Sequence, residues 1–270
     1  GFAADATVAA FLPDGKTLLT LGGGVATVRL WDVESGKERR SFPVSPKLDA
    51  NLYDSAKWSY LRWITRRATL SPDGKMLAIG LDWGESFSAE DRGVPVRLWD
   101  VTTGKAGHGL KEPMNAVDVP DEAGSGDTTE LGNSRARFNR KMKSTGGRAF
   151  SPDGRLLVDW AENPFGPSRM DHVYVWDAAT GRAVATLAAG PRPGAANAAF
   201  APDGRTLATA SADGIVRLWE VATWKVRAEF RGHRDRVTAL AFGPDGRLYT
   251  GGLDTVVLGW DVWPPRGPAK

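Results

Sequence analysis

The tripeptide Pro-Asp-Gly occurs five times in this chain of 270 residues, and a Trp-Asp or Trp-Glu pair follows each copy. Five similar units of about forty residues therefore make up the chain. A unit of that size cannot enclose a core alone, so repeats of this kind obtain their core by stacking on one another. The turns occupy 13–15, 72–74, 152–154, 202–204 and 244–246, and the pairs begin at Trp31, Trp99, Trp176, Trp219 and Trp260.

The fourth unit shows how the local sequence divides into strands. In each Pro-Asp-Gly turn, proline presets the backbone of the second position and glycine takes the left-handed exit. Strands are predicted at 206–210, 215–219 and 226–230, because tight turns separate these runs and the side chains of 215–219 alternate between two faces. With the run that enters the turn, each unit has four antiparallel strands, as in one blade of a β-propeller.

These units resemble the repeats of the WD40-repeat β-propeller family, and their regularity is similar to that of bacterial-type WD40 arrays. The resemblance covers most of the chain. It implies an all-β fold, a β-propeller of four-stranded antiparallel blades with five repeats visible. It also implies a buried tetrad of His, Ser/Thr, Asp and Trp, which the fifth repeat matches at His233, Thr250, Asp254 and Trp260.

The other repeats depart from that tetrad. The fourth keeps Thr209, Asp213 and Trp219 but has no histidine before its first strand, and the first has glycines where the aspartate belongs. Because most blades lack a complete tetrad, we expect stability to depend mainly on apolar burial between blades.

We expect one propeller domain over residues 1–270. The fifth blade has no predicted outer strand, because the prolines after Val262 cannot sustain a ladder. We interpret the chain as the C-terminal part of a larger propeller; the alternative is a closed ring of five blades, one of them short. The predicted blades cover 7–42, 66–112, 147–188, 195–230 and 236–262, and 263–270 forms a tail.

Four connections are enlarged. From each turn Asp to the blade Trp the spacings are 17, 26, 23, 16 and 15 residues, and from each Trp to the next turn Asp they are 42, 54, 27 and 26. The second and third repeats therefore carry extra residues between their second and third strands, and insertions at 45–65 and 115–147 separate blades. In a four-stranded meander both kinds of connection leave the same side, so we expect all four to decorate one rim. Long loops of this kind are usually functional or disordered.

These insertions hold the candidate partner-binding residues. The first is rich in the aromatic and arginine side chains that anchor interface centres; the alternative is a lid folded onto the propeller itself. The second has an acidic half followed by a basic half, and is either an electrostatic arm for an acidic partner or a mobile, self-compensating loop. The candidates are Tyr53, Trp58, Tyr60, Arg62, Trp63, Trp83, Phe87, Arg135, Arg137, Phe138, Arg140 and Lys141.

The residues that carry chemistry are sparse. The chain has three histidines and no cysteine, and no pair of histidines has helical metal-ligand spacing. His233 is assigned to the tetrad, His108 lies near a predicted connecting turn, and His172 ends an insertion. We therefore expect no catalytic residue, no metal and no cofactor, although a propeller can also assemble an enzyme site from dispersed rim residues.

Charge and hydropathy narrow the partner class. The formal net charge of +3 is too small to imply a nucleic-acid partner, and no apolar stretch is long enough for a membrane span. The absence of cysteine fits a reducing compartment such as the cytoplasm. We expect a non-catalytic scaffold that binds a protein or peptide. The alternative is a regulatory region of a larger protein whose kinase-like or transcription-factor-like domain carries the activity.

Overall fold

The structure, a computed structural model, describes residues 6–22, 27–44, 68–80, 96–110, 147–161, 171–190 and 197–262. These residues form nineteen β-strands, and none of them lies in a helix. The strands follow one another in five sheets. Four sheets have four strands each, in chain order, and the fifth has three.

The strand bounds are as follows. Sheet 1 comprises β1 (Ala6–Phe11), β2 (Thr17–Gly22), β3 (Thr27–Asp32) and β4 (Glu38–Pro43). Sheet 2 comprises β5 (Ala68–Leu70), β6 (Met76–Gly80), β7 (Val96–Asp100) and β8 (Ala106–Leu110). Sheet 3 comprises β9 (Gly147–Phe150), β10 (Leu156–Ala161), β11 (Asp171–Asp177) and β12 (Ala183–Gly190). Sheet 4 comprises β13 (Asn197–Phe200), β14 (Thr206–Ala210), β15 (Ile215–Glu220) and β16 (Lys225–Arg231), and sheet 5 comprises β17 (Val237–Phe242), β18 (Leu248–Gly252) and β19 (Val257–Trp260).

This architecture confirms the predicted fold class. The protein is all-β in its described residues, and its four-stranded antiparallel sheets are those of propeller blades. His108 lies on β8 with an exposed side chain, three residues after Lys105, where the preceding turn closes as Asp100 N donates to the Lys105 carbonyl.

The Pro-Asp-Gly turns connect the first and second strands. In the first of them, Gly15 adopts a φ of 63° and its amide donates to the Leu12 carbonyl at 2.9 Å. The Asp14 carboxylate accepts from the amides of Lys16 and Thr17 at 2.8 and 2.9 Å, which satisfies donors that the turn would otherwise leave unpaired. The turn residues are thus the ones that this geometry requires.

The chain divides into two compact units, and sheet 3 contributes to both. The first unit consists of Gly1–Glu112, Phe150–Leu157 and Trp176–Val184. Its core lies between sheets 1 and 2, which pack face to face. The face that sheet 1 contributes and the face that sheet 2 contributes lie on opposite sides of the repeated unit. The buried residues there are Leu19, Leu21, Val28, Leu30, Phe42, Val44, Leu77, Ile79, Trp99 and Val101.

The second unit consists of Pro113–Ala149, Val158–Val175 and Ala185–Lys270. Its core lies between sheets 4 and 5 and repeats the arrangement of the first. The buried residues are Ala208, Ala210, Val216, Leu218, Val237, Leu248 and Val262. Polar bonds also join the two sheets: Asn197 donates to the Val237 carbonyl at 3.2 Å and Arg227 to the Val262 carbonyl at 2.9 Å. Each unit therefore obtains its core by stacking neighbouring sheets, as the repeats predict.

Candidate functional site

Sheet 5 contains a continuous chain of four polar side chains. Trp260 Nε1 donates to Thr250 Oγ1 at 2.8 Å, and the same oxygen lies 2.7 Å from His233 Nε2. On the other side of the imidazole, His233 Nδ1 lies 3.0 Å from Asp254 Oδ2. The histidine and the threonine are both buried. The residues at the four tetrad positions are therefore joined in one network.

The donors and acceptors of this network are complementary. The indole can only donate, so the Thr250 oxygen accepts from Trp260, and the same hydroxyl lies within hydrogen-bond distance of His233 Nε2. The other ring nitrogen of His233 contacts the Asp254 carboxylate. The backbone amide of Arg234, and then His233, stabilise the Asp254 carboxylate and lower its pKa. All four members have partners, which is the condition for a buried polar network to stabilise a fold.

Sheets 1 and 4 keep part of this arrangement. Trp31 donates to Thr20 at 2.7 Å and Trp219 to Thr209 at 2.8 Å. In sheet 4 an arginine occupies the role of the missing histidine, because Arg217 forms an ion pair with Asp213 at 2.8 Å. Burial is the largest single effect and raises the pKa of Asp213, but the hydrogen bonds from Arg217, the Ile215 amide and Ser211 together outweigh it, so the pKa is lowered.

Sheets 2 and 3 replace the threonine. In sheet 2 the position two residues after the register partner of the tryptophan holds Ile79, and the buried Nε1 of Trp99 has no hydrogen-bond partner among the described residues. In sheet 3 the corresponding residue of the repeat is Asp159, which pairs with Arg148 at 3.1 Å. Both side chains of that pair are almost fully buried. The same position in five sheets thus holds three threonines, an isoleucine and a buried carboxylate.

One end of the sheets carries the short turns. There the turn aspartates Asp14, Asp73 and Asp153 have lowered pKa values. The largest cause in each case is a side-chain hydrogen bond, which Thr17, Ser71 and Ser151 donate respectively. Backbone amides occupy the same carboxylates, for example Lys75 N on Asp73 at 3.0 Å. The carboxylates at this end are therefore engaged in closing turns and have little capacity left for a ligand.

The opposite end of the sheets carries the enlarged connections. In sheet 2, Gly80 pairs with Val96 and Val96 with Leu110, so the segments that follow β6 and β8 leave from the same end of the sheet. In sheet 1, Pro43 pairs with Thr27 and Thr27 with Gly22, so the segment that follows β4 leaves from the corresponding end. Every predicted partner-binding residue belongs to these segments and lies outside the described residues: Tyr53, Trp58, Tyr60, Arg62, Trp63, Trp83, Phe87, Arg135, Arg137, Phe138, Arg140 and Lys141.

The described residues at that end of sheet 3 are tightly packed. A Cβ built on Gly147 would lie 2.5 Å from Cζ2 of Trp160, so any larger residue at the start of β9 would require the indole to shift. Next to it, the Arg148–Asp159 ion pair joins β9 to β10. Both enlarged connections of sheet 3 start or end within a few residues of this cluster. A buried ion pair combined with a glycine–tryptophan contact gives these segments a well-defined attachment point.

Sequence reasoning missed Trp160 and the Arg148–Asp159 pair. The signal was available in the alignment of the repeats, because Asp159 stands five residues after Gly154 just as Thr209 stands five after Gly204. Within the described ranges, no group of three or more His, Cys, Asp or Glu side chains is arranged to hold a metal ion. A search of the same ranges for a helix long and apolar enough to cross a membrane finds none.

Comparison with known proteins shows similarity to one family and to two of the relatives found. The model of the WD40 family, described as WD domain, G-beta repeat, matches residues 193–220 and 224–261. Protein groucho of Drosophila melanogaster is 32% identical over 170 residues, which are 62% of this chain and 19% of that protein. Meiotic fizzy-related protein 1 of Schizosaccharomyces pombe is 30% identical over 110 residues, which are 40% of this chain and 26% of that protein. The chain therefore spans only about a fifth to a quarter of the length of these two relatives.

Proposed function

We propose that the chain is a non-catalytic scaffold of WD40 repeats that binds protein or peptide partners through the segments inserted at one end of its first three sheets. The observation that carries the proposal is the difference between the two sheet ends. At one end the carboxylates are engaged in short turns, and at the other the strands open into long segments rich in aromatic and basic residues. Variable loops on a rigid base are where binding residues concentrate.

The described strands from which the inserted segments leave support this role. The buried Arg148–Asp159 pair and the packing of Trp160 on Gly147 fix the ends of two inserted segments. Trp99 and Phe42, whose rings stack with centroids 6.4 Å apart, belong to the core between sheets 1 and 2. The inserted segments would therefore start from packed strand ends, which would reduce the entropy that a partner loses on binding them.

The candidate contacts fall into an aromatic and a basic group. The aromatic group, Tyr53, Trp58, Tyr60, Trp63, Trp83 and Phe87, would supply buried anchors. The basic group, Arg62, Arg135, Arg137, Arg140 and Lys141 with Phe138, would contribute charge complementarity to an acidic stretch of the partner.

Site-specific photo-crosslinking tests the proposal. Benzoyl-phenylalanine replaces Trp58 or Trp63 in two variants and Lys75, at the turn end, in a matched control. We expect the first two variants to crosslink to a common protein in cell extract and the control not to do so. A further variant carries benzoyl-phenylalanine at Trp83 and should crosslink to the same protein. In that variant, replacement of residues 49–64 by a short Gly-Ser linker should abolish the crosslink and leave the melting temperature unchanged. Identical crosslinked proteins from Lys75 and Trp58 would contradict the proposal.

A second candidate function follows from the coverage of the relatives. The matched region is 19% of protein groucho and 26% of the fizzy-related protein, so in both of them most of the polypeptide lies outside the match. By analogy, this chain would be a regulatory region of a larger protein that carries its activity elsewhere. The regularity of the Ser-Pro-Asp-Gly and Trp-Asp-Val sequences supports a bacterial-type array in that setting. The sequence of the complete gene distinguishes the two candidates.

A further inference from the structure

A groove lies between sheets 1 and 2, where their first strands, β1 and β5, reach the Pro-Asp-Gly turns. Its volume is about 520 Å³. The apolar part of its lining comes from both sheets and both turns: Ala10, Pro13, Leu19, Leu70, Pro72 and Leu77. Both sheets have all four strands, so both walls of the groove are present. The groove lies at the end of the sheets opposite the inserted segments.

The repeat has a smaller residue at this place in sheet 2 than in the other sheets. The last residue of the first strand is a phenylalanine in sheets 1, 3, 4 and 5: Phe11, Phe150, Phe200 and Phe242. In sheet 5 this phenylalanine pairs in register with a leucine of the second strand, Phe242 with Leu248. In sheet 2 the corresponding pair is Leu70 with Leu77. A leucine therefore stands in the place of a phenyl ring.

Sheets 4 and 5 show where that ring lies when it is present. Phe242 packs against the apolar core that these two sheets share. Leu70 packs in the same way against the core between sheets 1 and 2. The last residue of the first strand therefore faces the preceding sheet in both pairs. In sheet 2 this direction leads into the groove, because Leu70 lines it together with Ala10 and Leu19 of sheet 1.

The walls of the groove are held in place. Leu19 and Leu77 are buried, and both belong to the core between the two sheets. The bordering turns are also in contact, since a Cβ built on Gly74 would lie 2.6 Å from Cδ of Pro13. A ligand would therefore enter a preformed groove, which reduces the entropy lost on binding.

The hydroxyl and carboxylate groups of the two bordering turns are already engaged. Ser71 Oγ donates to Asp73 at 2.6 Å and accepts from the amide of Met76 at 2.9 Å. The carboxylate of Asp14, in the turn after β1, accepts from two amides and from the hydroxyl of Thr17. These groups have little capacity left for a polar ligand, so the groove favours an uncharged, apolar side chain.

We propose that this groove binds a phenylalanine side chain of a partner polypeptide, whose ring takes the place that phenylalanine has in the other repeats. A cavity of about 150 Å³ is enough for one benzene ring. The groove is larger, so the residues that flank the phenylalanine would also lie in it and contact Pro13 and Pro72. A peptide therefore accounts for its size better than a free aromatic molecule does. This site goes beyond the proposed scaffold function, which uses the other end of the sheets.

Peptides that discriminate between two versions of the chain test the proposal. A phage library of random peptides is selected on the full 270-residue chain and counter-selected on Leu70→Phe, in which the residue of the other repeats fills the groove. We expect the recovered peptides to share a phenylalanine. Synthetic versions should bind Leu70→Phe at least about tenfold more weakly than the unaltered chain, and a change of the shared phenylalanine to alanine should weaken binding similarly. Leu253→Phe, at a leucine that is 59% exposed after β18, should leave binding unchanged.

Methyl NMR on the same chain locates the bound ring. Addition of the peptide should produce ring-current shifts in the methyl resonances of Leu19, Leu70 and Leu77 and leave those of Leu110, buried on β8, unchanged. Failure to recover a peptide with a shared phenylalanine, equal binding by Leu70→Phe, or shifts confined to other residues would overturn the proposal. Contacts of the Leu70 methyls with an aromatic ring from outside sheets 1 and 2, seen as NOEs before any peptide is added, would also overturn it, because the chain itself would then occupy the groove.

Two further measurements separate a blocked groove from other effects. Leu70→Phe should keep the melting temperature of the unaltered chain, because phenylalanine occupies this position in four other sheets. If it lowers that temperature, Ala10→Leu takes its place: it narrows the groove from sheet 1 and should weaken peptide binding to the same extent. Replacement of residues 49–64 should leave peptide binding unchanged, so that failure of this inference is distinct from failure of the proposed scaffold function.

Discussion

The indole of Trp260 donates its N–H to the hydroxyl oxygen of Thr250 across two neighbouring strands, at 2.8 Å. The register places Trp260 opposite Leu248, two residues before Thr250, so the long indole reaches along the sheet to the next residue on the same face. The same relationship joins Trp31 to Thr20 and Trp219 to Thr209. In sheets 1, 4 and 5 a single threonine hydroxyl therefore accepts the indole N–H of the blade tryptophan.

Removal of that hydroxyl in sheet 5 should be costly. Thr250→Val keeps the shape of the side chain but leaves Trp260 Nε1 and His233 Nε2 without their shared partner. Because unsatisfied buried polar groups are expensive, we expect the free energy of unfolding to fall by about 1–3 kcal/mol. Urea denaturation followed by tryptophan fluorescence measures the change. Thr238→Val, at an exposed threonine in β17 of the same sheet, is the matched control and should change stability by less than about 0.5 kcal/mol. Equal effects of the two substitutions would contradict the role of the network.

Sheet 2 offers the opposite experiment. Ile79 occupies the threonine position, and the buried Nε1 of Trp99 has no partner among the described residues. Ile79→Thr introduces an acceptor, whereas Ile79→Val removes a similar volume without one. Val and Thr have the same shape, so their difference isolates the new hydrogen bond, and we expect the threonine variant to be more stable than the valine variant by about 1 kcal/mol. A threonine variant less stable than the valine variant, which is the usual order in an apolar core, would show that Trp99 does not reach the hydroxyl.

Much of this architecture follows from the sequence, because Pro-Asp-Gly and Trp-Asp fix both ends of each hairpin. The predicted strands 206–210 and 215–219 agree closely with β14 and β15, since the turn residues between them have few other conformations. The positions proposed to bind a partner, such as Trp58 and Arg137, do not follow in the same way. Their segments have neither the alternation of a strand nor the spacing of a turn, so the local sequence does not determine where their side chains lie.

The tetrad positions show a different limit of prediction from the sequence. The residues His233, Thr250, Asp254 and Trp260 could be identified because they match a family pattern, and the structure joins them. For the Arg148–Asp159 pair the repeat alignment identifies only Asp159, at the threonine position, and not its partner. The two residues lie on different strands with the spacing of neither a turn nor a helix. Only the pairing of β9 with β10 brings the two charges together.

That pair should respond strongly to loss of one partner. Asp159→Thr restores the residue type found in sheets 1, 4 and 5 but leaves the Arg148 guanidinium buried without its carboxylate. We expect a loss of about 3–5 kcal/mol, because a buried charge that loses its partner is not compensated. The double variant Arg148→Met with Asp159→Thr removes both charges and should recover most of the stability. Chemical denaturation of the two single variants and the double variant gives the coupling energy, and additive effects would mean that the two charges do not interact.

The contact between the first two turns provides the last prediction. Gly15 and Gly74 occupy the same turn position with φ values of 63° and 72°, but a Cβ on Gly15 would meet nothing within 4 Å, whereas one on Gly74 would lie 2.6 Å from Cδ of Pro13. Gly15→Ala should therefore cost only the backbone strain of a left-handed alanine, about 1–2 kcal/mol. Gly74→Ala adds a clash between neighbouring sheets, and we expect about 1–3 kcal/mol more. Because the backbone term is common to both, the difference between their denaturation midpoints measures how rigidly sheet 2 is held against sheet 1. Equal midpoints would mean that the two sheets separate easily at this end, and that the stacked core between them, from Leu19 to Trp99, does not extend to the turns.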